Sequence, residues 1–125
     1  MDVIKGGERT EKLDNGASMI SFCAPALNTA AFSVVLPFVP ERRAGAYHCV
    51  EHLFFERAGE RRAADINAEM TSRGSEIMGY TTKNYMCFNF VCRKEVLSDQ
   101  LGLLFSMLTQ KEYGEEEEES VLGVI

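Results

Sequence analysis

From Arg9 onward the apolar and polar positions fall into short blocks that can be read one at a time. Arg9–Leu13 and the apolar run Ala17–Cys23 flank Asp14-Asn15-Gly16, a turn signal that predicts a hairpin. Thr29–Val39 (TAAFSVVLPFV) is longer and more apolar, which predicts a more buried strand ending near Pro40. From about Ala44 to Ala58 the spacing turns helical, with Ala46, Val50, Leu53 and Phe54 on one stripe and Gly59 as the stop. A shorter helix is predicted over Ala63–Arg73, where Ile66 and Met70 stand four apart, closed by Gly74. Ser75–Thr82 and Tyr85–Cys92 read as strands on either side of Lys83-Asn84. In the second of these Met86, Phe88, Phe90 and Cys92 alternate with Tyr85, Cys87, Asn89 and Val91. Both sets are fairly apolar, which predicts a central strand. Leu97, Leu101, Leu104 and Leu108 then stripe an amphipathic helix.

Strands and helices interleave, yet the hairpins require antiparallel pairing. The expected class is therefore α+β, an antiparallel sheet with helices packed on one face. At 125 residues the chain fits one domain with a real apolar core.

A formal net charge of −6 argues against the phosphate-neutralising surface that nucleic acids need, and against anionic membranes. No stretch is long enough to span a bilayer, and the opening MDVIKGGERTEK has no apolar core of a secretion signal. Cys23, Cys49, Cys87 and Cys92 lack the close paired spacing of zinc ribbons or redox motifs. They read as small buried thiols in a reducing compartment, so the cytoplasm is the expected location. Glu115–Glu119 follows Gly114 as a solvated helix start, where carboxylates are favoured. Val121, Leu122, Val124 and Ile125 continue with helical spacing and no cap follows, so the chain is expected to be a fragment cut within a helix.

The two histidines of the chain, His48 and His52, stand four apart, with Glu51 beside the second. A helical residue advances by about 100°, so with His48 at zero His52 falls near about 40° and Glu51 near about 300°. The three share one sector, roughly opposite Ala46, Val50 and Leu53. Imidazoles one turn apart can aim nitrogens at one metal ion. The flanking carboxylate can take a proton from a water that the metal has acidified. The plain alternative is a solvent-facing polar stripe, against which Phe55 in the same sector argues. Two histidines do not complete a zinc site.

The spacing Gly45-x-x-His48-x-x-Glu51-His52-x-x-Phe55 resembles the signature of the M16 metallopeptidases, the family of pitrilysin, insulin-degrading enzyme and mitochondrial processing peptidase. The opening EKLDNGASMI resembles the family's first hairpin. Gly74 through Thr82 with Asn84-Tyr85 resembles its glycine, strand, threonine and tyrosine segment, and the Leu97–Leu108 helix falls in register. The resemblance implies a domain of the kind shared by mitochondrial processing peptidase and S-ribosylhomocysteine lyase. It also implies a zinc-dependent metalloendopeptidase that hydrolyses peptide bonds. Carried over, His48 and His52 become ligands of Zn2+ and Glu51 the general base. Gly79, Tyr80 and Thr81 become an edge strand to which a peptide or unfolded protein adds.

The family's third ligand is a glutamate on a helix just after a Val-Ile-like pair. Val124-Ile125 resembles that pair, so the ligand is expected just past Ile125, and Glu119 is not assigned. Residues 1–125 are thus expected to be the N-terminal part of a catalytic domain. By itself that part would bind zinc weakly and lack turnover. A second, similar half or a partner subunit is implied, while the oligomeric state is left open. Two departures stand out. Met78-Gly79 replaces the usual Asn-Ala, and Tyr47 replaces a small residue before the first histidine.

Two other readings remain at this point. One is a non-catalytic scaffold or partner subunit, against which the intact His48, Glu51 and His52 speak. The other is an S-ribosylhomocysteine lyase-like enzyme, which would use a downstream cysteine as third ligand. No cysteine follows Cys92.

Overall fold

The structure, a computed structural model, describes residues 7–39 and 45–124. Pro40, Ala44 and Ile125, which belong to an expected strand end, an expected helix start and the Val-Ile-like pair, lie outside the described residues. The elements follow in the order β1 (Glu8–Lys12), β2 (Ser18–Phe22), β3 (Thr29–Pro37), α1 (Ala46–Leu53), β4 (Arg57–Ala58), β5 (Arg61–Arg62), α2 (Ala63–Arg73), β6 (Met78–Thr81), β7 (Tyr85–Arg93), α3 (Leu97–Leu108) and α4 (Glu115–Val124).

The most apolar strand, β7, pairs antiparallel with β3 on one side and β6 on the other, so it is central in the three-stranded sheet. The pairing places Phe32 opposite Phe90, Val34 opposite Phe88 and Leu36 opposite Met86. That face meets Phe54 and Phe55 after α1, Ile66 and Met70 of α2, and Leu103, Leu104 and Met107 of α3. Met78, Tyr80, Val35 and Val91 are exposed. They occupy the alternate positions of their strands and so the opposite face. The fold is α+β with the helices on one face of an antiparallel sheet. β1 and β2 form a separate hairpin whose turn uses Gly16 at φ +88°.

Several expectations are corrected. Helix α1 ends at Leu53, not Ala58. The bonds Phe55 N to His52 O and Glu56 N to Leu53 O tighten its last turn. Arg57–Ala58 then pairs with Arg61–Arg62, and Gly59, at φ +64°, serves the turn of that hairpin instead of stopping a helix.

The strand expected over Ser75–Thr82 is shorter, because Ser75 leaves the ladder. Its hydroxyl donates to Val91 O at 2.9 Å, and its carbonyl accepts from Gln100 Nε2 at 3.0 Å. Helix α3 buries Gln100, Leu103, Leu104 and Met107, a ridge rotated from the expected leucine stripe; Leu97, Leu101 and Leu108 are half-buried.

The cysteines divide. Cys87 and Cys92 are buried, and burial raises the Cys92 thiol pKa, whereas Cys23 is exposed and Cys49 half-buried. In the acidic run four glutamates are exposed but Glu117 is buried, so that residue is no solvated helix start.

Candidate metal centre and catalytic cleft

Helix α1 opens at Gly45, whose φ of +83° is open to glycine at little cost and whose carbonyl accepts from Cys49 N at 2.9 Å. The face that α1 turns inward is not the expected one. Ala46 and Val50 are exposed, while Tyr47, Glu51, Phe54 and Phe55 point toward the sheet. Tyr47 stacks flat on Phe38, with ring centroids 3.7 Å apart, which pins the helix start to the end of β3. Phe54 and Phe55 meet Phe88 at 5.6 and 5.9 Å. These rings carry more apolar area than Ala46, Val50 and Leu53, so their burial decides the rotation of the helix.

Glu51 is carried inward with them and is 7% exposed. Its Oε2 accepts a hydrogen bond from the Thr81 hydroxyl of β6. Among the described residues no cation pairs with it. His48 is exposed and His52 half-buried, and their Nε2 atoms lie 3.0 Å apart.

Gly79 explains how helix and edge strand come so close. A Cβ there would stand 2.9 Å from Phe88 Cε1 and 3.1 Å from Phe55 Cε2. The glycine of Met78-Gly79 thus makes room for Phe55. A cavity of about 620 Å³ opens between α1 and β6, lined by Gly45, His48, Glu51 and the run Gly79 to Lys83. Lining residues predicted from the sequence are His48, Glu51, Gly79, Tyr80 and Thr81; His52 reaches the site through His48. Sequence reading missed Thr81 as the partner of Glu51, and Lys83, which it treated as a turn. Only the turn position of Lys83-Asn84 hinted at the latter.

The donor set fits a zinc ion in part. Two Zn–N bonds of about 2.1 Å at a tetrahedral angle separate their nitrogens by about 3.4 Å, a little more than the 3.0 Å between the two Nε2 atoms. Among the described residues no third histidine, cysteine, aspartate or glutamate joins them. Cys87 does not serve. It opposes Tyr80 across the ladder, alternates with the residues that face α1, and sits 3.5 Å from Ser33 Oγ. Hydrogen bonding with Cys87, and then with Tyr85, pushes the Tyr80 hydroxyl pKa up to about 12.

Comparison with known proteins fits this geometry. The profile of insulinase (peptidase family M16) matches residues 39–124, most of the chain. The chain belongs to the M16 peptidase family. An uncharacterized zinc protease of Streptomyces coelicolor is 26% identical over 124 residues, covering 96% of this chain and 27% of that protein. The mitochondrial ubiquinol-cytochrome-c reductase complex core protein I of Euglena gracilis is 26% identical over 77 residues, 62% of this chain and 16% of that one. A crystal structure of a protease from Helicobacter pylori shares the fold at a TM-score of 0.81 and 17% identity, over 96% of this chain and 30% of that one. The chain thus spans under a third of the length of each. Among the described residues no helix is long and apolar enough to cross a membrane.

Proposed function

We propose that the full-length protein is a zinc-dependent metalloendopeptidase in which His48 and His52 are metal ligands and Glu51 is the general base. The observation that carries this is the convergence of the two Nε2 atoms at 3.0 Å beside a buried carboxylate that has no cation partner among the described residues. As neutral imidazoles the two rings would offer their Nε2 lone pairs to the metal. A third ligand comes from elsewhere in the full-length protein. When bound, zinc supplies a Lewis acid that polarises a peptide carbonyl and acidifies a water.

The protein's own groups do the rest. Glu51 removes the proton of the attacking water and delivers it to the leaving amine nitrogen. Thr81 fixes the rotation of that carboxylate by holding Oε2. Strand β6 has one edge free among the described residues, so a peptide or unfolded segment can add there through backbone hydrogen bonds with Gly79, Tyr80 and Thr81. Among the described residues the cavity is lined from Gly45–Glu51 and Gly79–Lys83, and a second M16-like half or a partner subunit would close it from the far side. The free thiols make the cytoplasm the proposed compartment, and the net charge disfavours nucleic acid as a partner.

A second reading is a non-catalytic member of an assembly, favoured by the Euglena relative, which is a core protein of a respiratory complex. Peptide hydrolysis by the full-length protein and its Glu51→Gln variant separates the two. The peptidase reading requires turnover that this substitution abolishes. Turnover that survives it, or none in the parent, leaves the assembly role.

A further inference from the structure

Among the described residues that line the cleft, Lys83 is the one lysine or arginine. Its neighbours in the lining are uncharged apart from His48 and Glu51, and Glu51 lies buried against Thr81. No carboxylate stands within ion-pair distance of Lys83 among the described residues.

The backbone that carries Lys83 is fixed. Thr82 N donates to Tyr85 O at 2.8 Å, and Thr82 Oγ1 accepts from Asn84 N at 3.3 Å and Tyr85 N at 3.1 Å. Phe38 N donates to Asn84 O at 2.8 Å, which ties the same turn to the end of β3. Lys83 lies two residues past Thr81, at most about 7 Å along the chain. Thr81 in turn holds Glu51. An exposed lysine on a pinned turn, just past the end of the edge strand and lining the same cleft as the proposed general base, would meet a strand laid along β6 near its reactive bond.

We propose that Lys83 gives this cleft a preference for peptides that carry an Asp or Glu side chain within a few residues of the bond cleaved. The proposal rests on the peptidase reading for the position of the bond, but its mark on binding can be read without turnover. The chain as a whole is acidic, with a net charge of −6, so the preference is local. Screening confines it to roughly 10 Å at 0.1 M salt.

The test uses full-length protein carrying Glu51→Gln, so that peptides stay intact, and fluorescence anisotropy with peptides matched except for one residue: Glu, Gln or Lys. That residue is moved through three positions on either side of the centre. At one position or more the Glu peptide binds about two- to fivefold tighter than the Gln peptide, the range of an exposed ion pair. Lys83→Ala brings that ratio to about one, Lys83→Glu inverts it toward the Lys peptide, and 0.5 M salt shrinks it. Lys94→Ala, at an exposed lysine outside the cleft, keeps it. Equal binding of Glu and Gln peptides at every position, a ratio that survives Lys83→Ala, or no binding at all overturns the proposal. Failure of the parent protein to hydrolyse any peptide overturns the peptidase reading, while the binding ratio still decides the role of Lys83 independently.

Discussion

Two glutamates are buried to nearly the same depth, Glu51 at 7% and Glu117 at 6% exposure, and they are held in opposite ways. Glu117, near the start of α4, accepts from Gly114 N at 2.9 Å and lies 3.7 Å from Arg57. Its pKa is lowered, first by hydrogen bonding from its own backbone N–H. Burial opposes this, while the Gly114 N–H, Arg62 and Arg57 add to the lowering. Neighbouring pairs, Arg62 with Glu116 and Ser120 with Glu56, hold α4 to the α1 end and the β4–β5 hairpin. Glu117 thus has both a hydrogen-bond donor and a nearby guanidinium. Among the described residues Glu51 has a single hydroxyl partner, and it faces a cavity beside two histidines. A buried carboxylate supplied with a cation fixes structure, whereas the one beside the proposed metal ligands is the one proposed to exchange protons.

The sharpest way to break this contrast is to neutralise each acid. Glu51→Gln in the full-length protein is expected to lower kcat by about 10²–10⁴-fold, the usual contribution of a general base, while the melting temperature stays near the parent's. Steady-state kinetics beside thermal unfolding decides it. Comparable losses from Glu117→Gln would erase the distinction.

Thr81→Val should cost about tenfold in kcat with KM little changed, because the carboxylate loses its orienting donor. Thr81→Ser should restore most of it. A Thr81→Val variant with full activity would show that Glu51 needs no positioning.

Gly79→Ala forces a methyl group against Phe55 and Phe88 and is expected to destabilise the fold by about 1–3 kcal/mol, measured by denaturant unfolding. The smallest effect concerns pH. The folded pKa of Glu117 is depressed, so the stability it supplies is complete above the ordinary value of 4.5 and is lost as the pH falls through the lower folded value. Acid unfolding of Glu117→Gln should lack that component, and an unchanged acid limb in the variant would contradict it.

Much of this was legible along the chain. The β1–β2 hairpin, α2 from Ala63 to Arg73, central β7 and the span of α3 all emerge from period-two or period-3.6 patterning closed by Gly16, Gly74 and the Lys83-Asn84 turn. These depend on local backbone preferences and on contacts a few residues apart. The clustering of His48, Glu51 and His52 was legible for the same reason, since one helical turn fixes their relative angles.

What lies beyond such short range was not legible. Angles around a helix do not say which side meets the sheet. Only the packing of Tyr47 on Phe38, and of Phe54 and Phe55 on Phe88, turned α1 so that Glu51 is buried and Val50 exposed. The early end of α1 and the withdrawal of Ser75 from the ladder likewise depend on partners distant in sequence, such as Arg61–Arg62, Val91 and Gln100. The bond between Thr81 and Glu51 joins residues thirty apart and exists because Gly79 lets the helix settle against the edge strand. Sequence by itself determined which residues could do chemistry and their order around one turn. Tertiary structure decided which of them are buried and what holds them, because burial is set by the largest apolar surfaces that can meet across the whole chain.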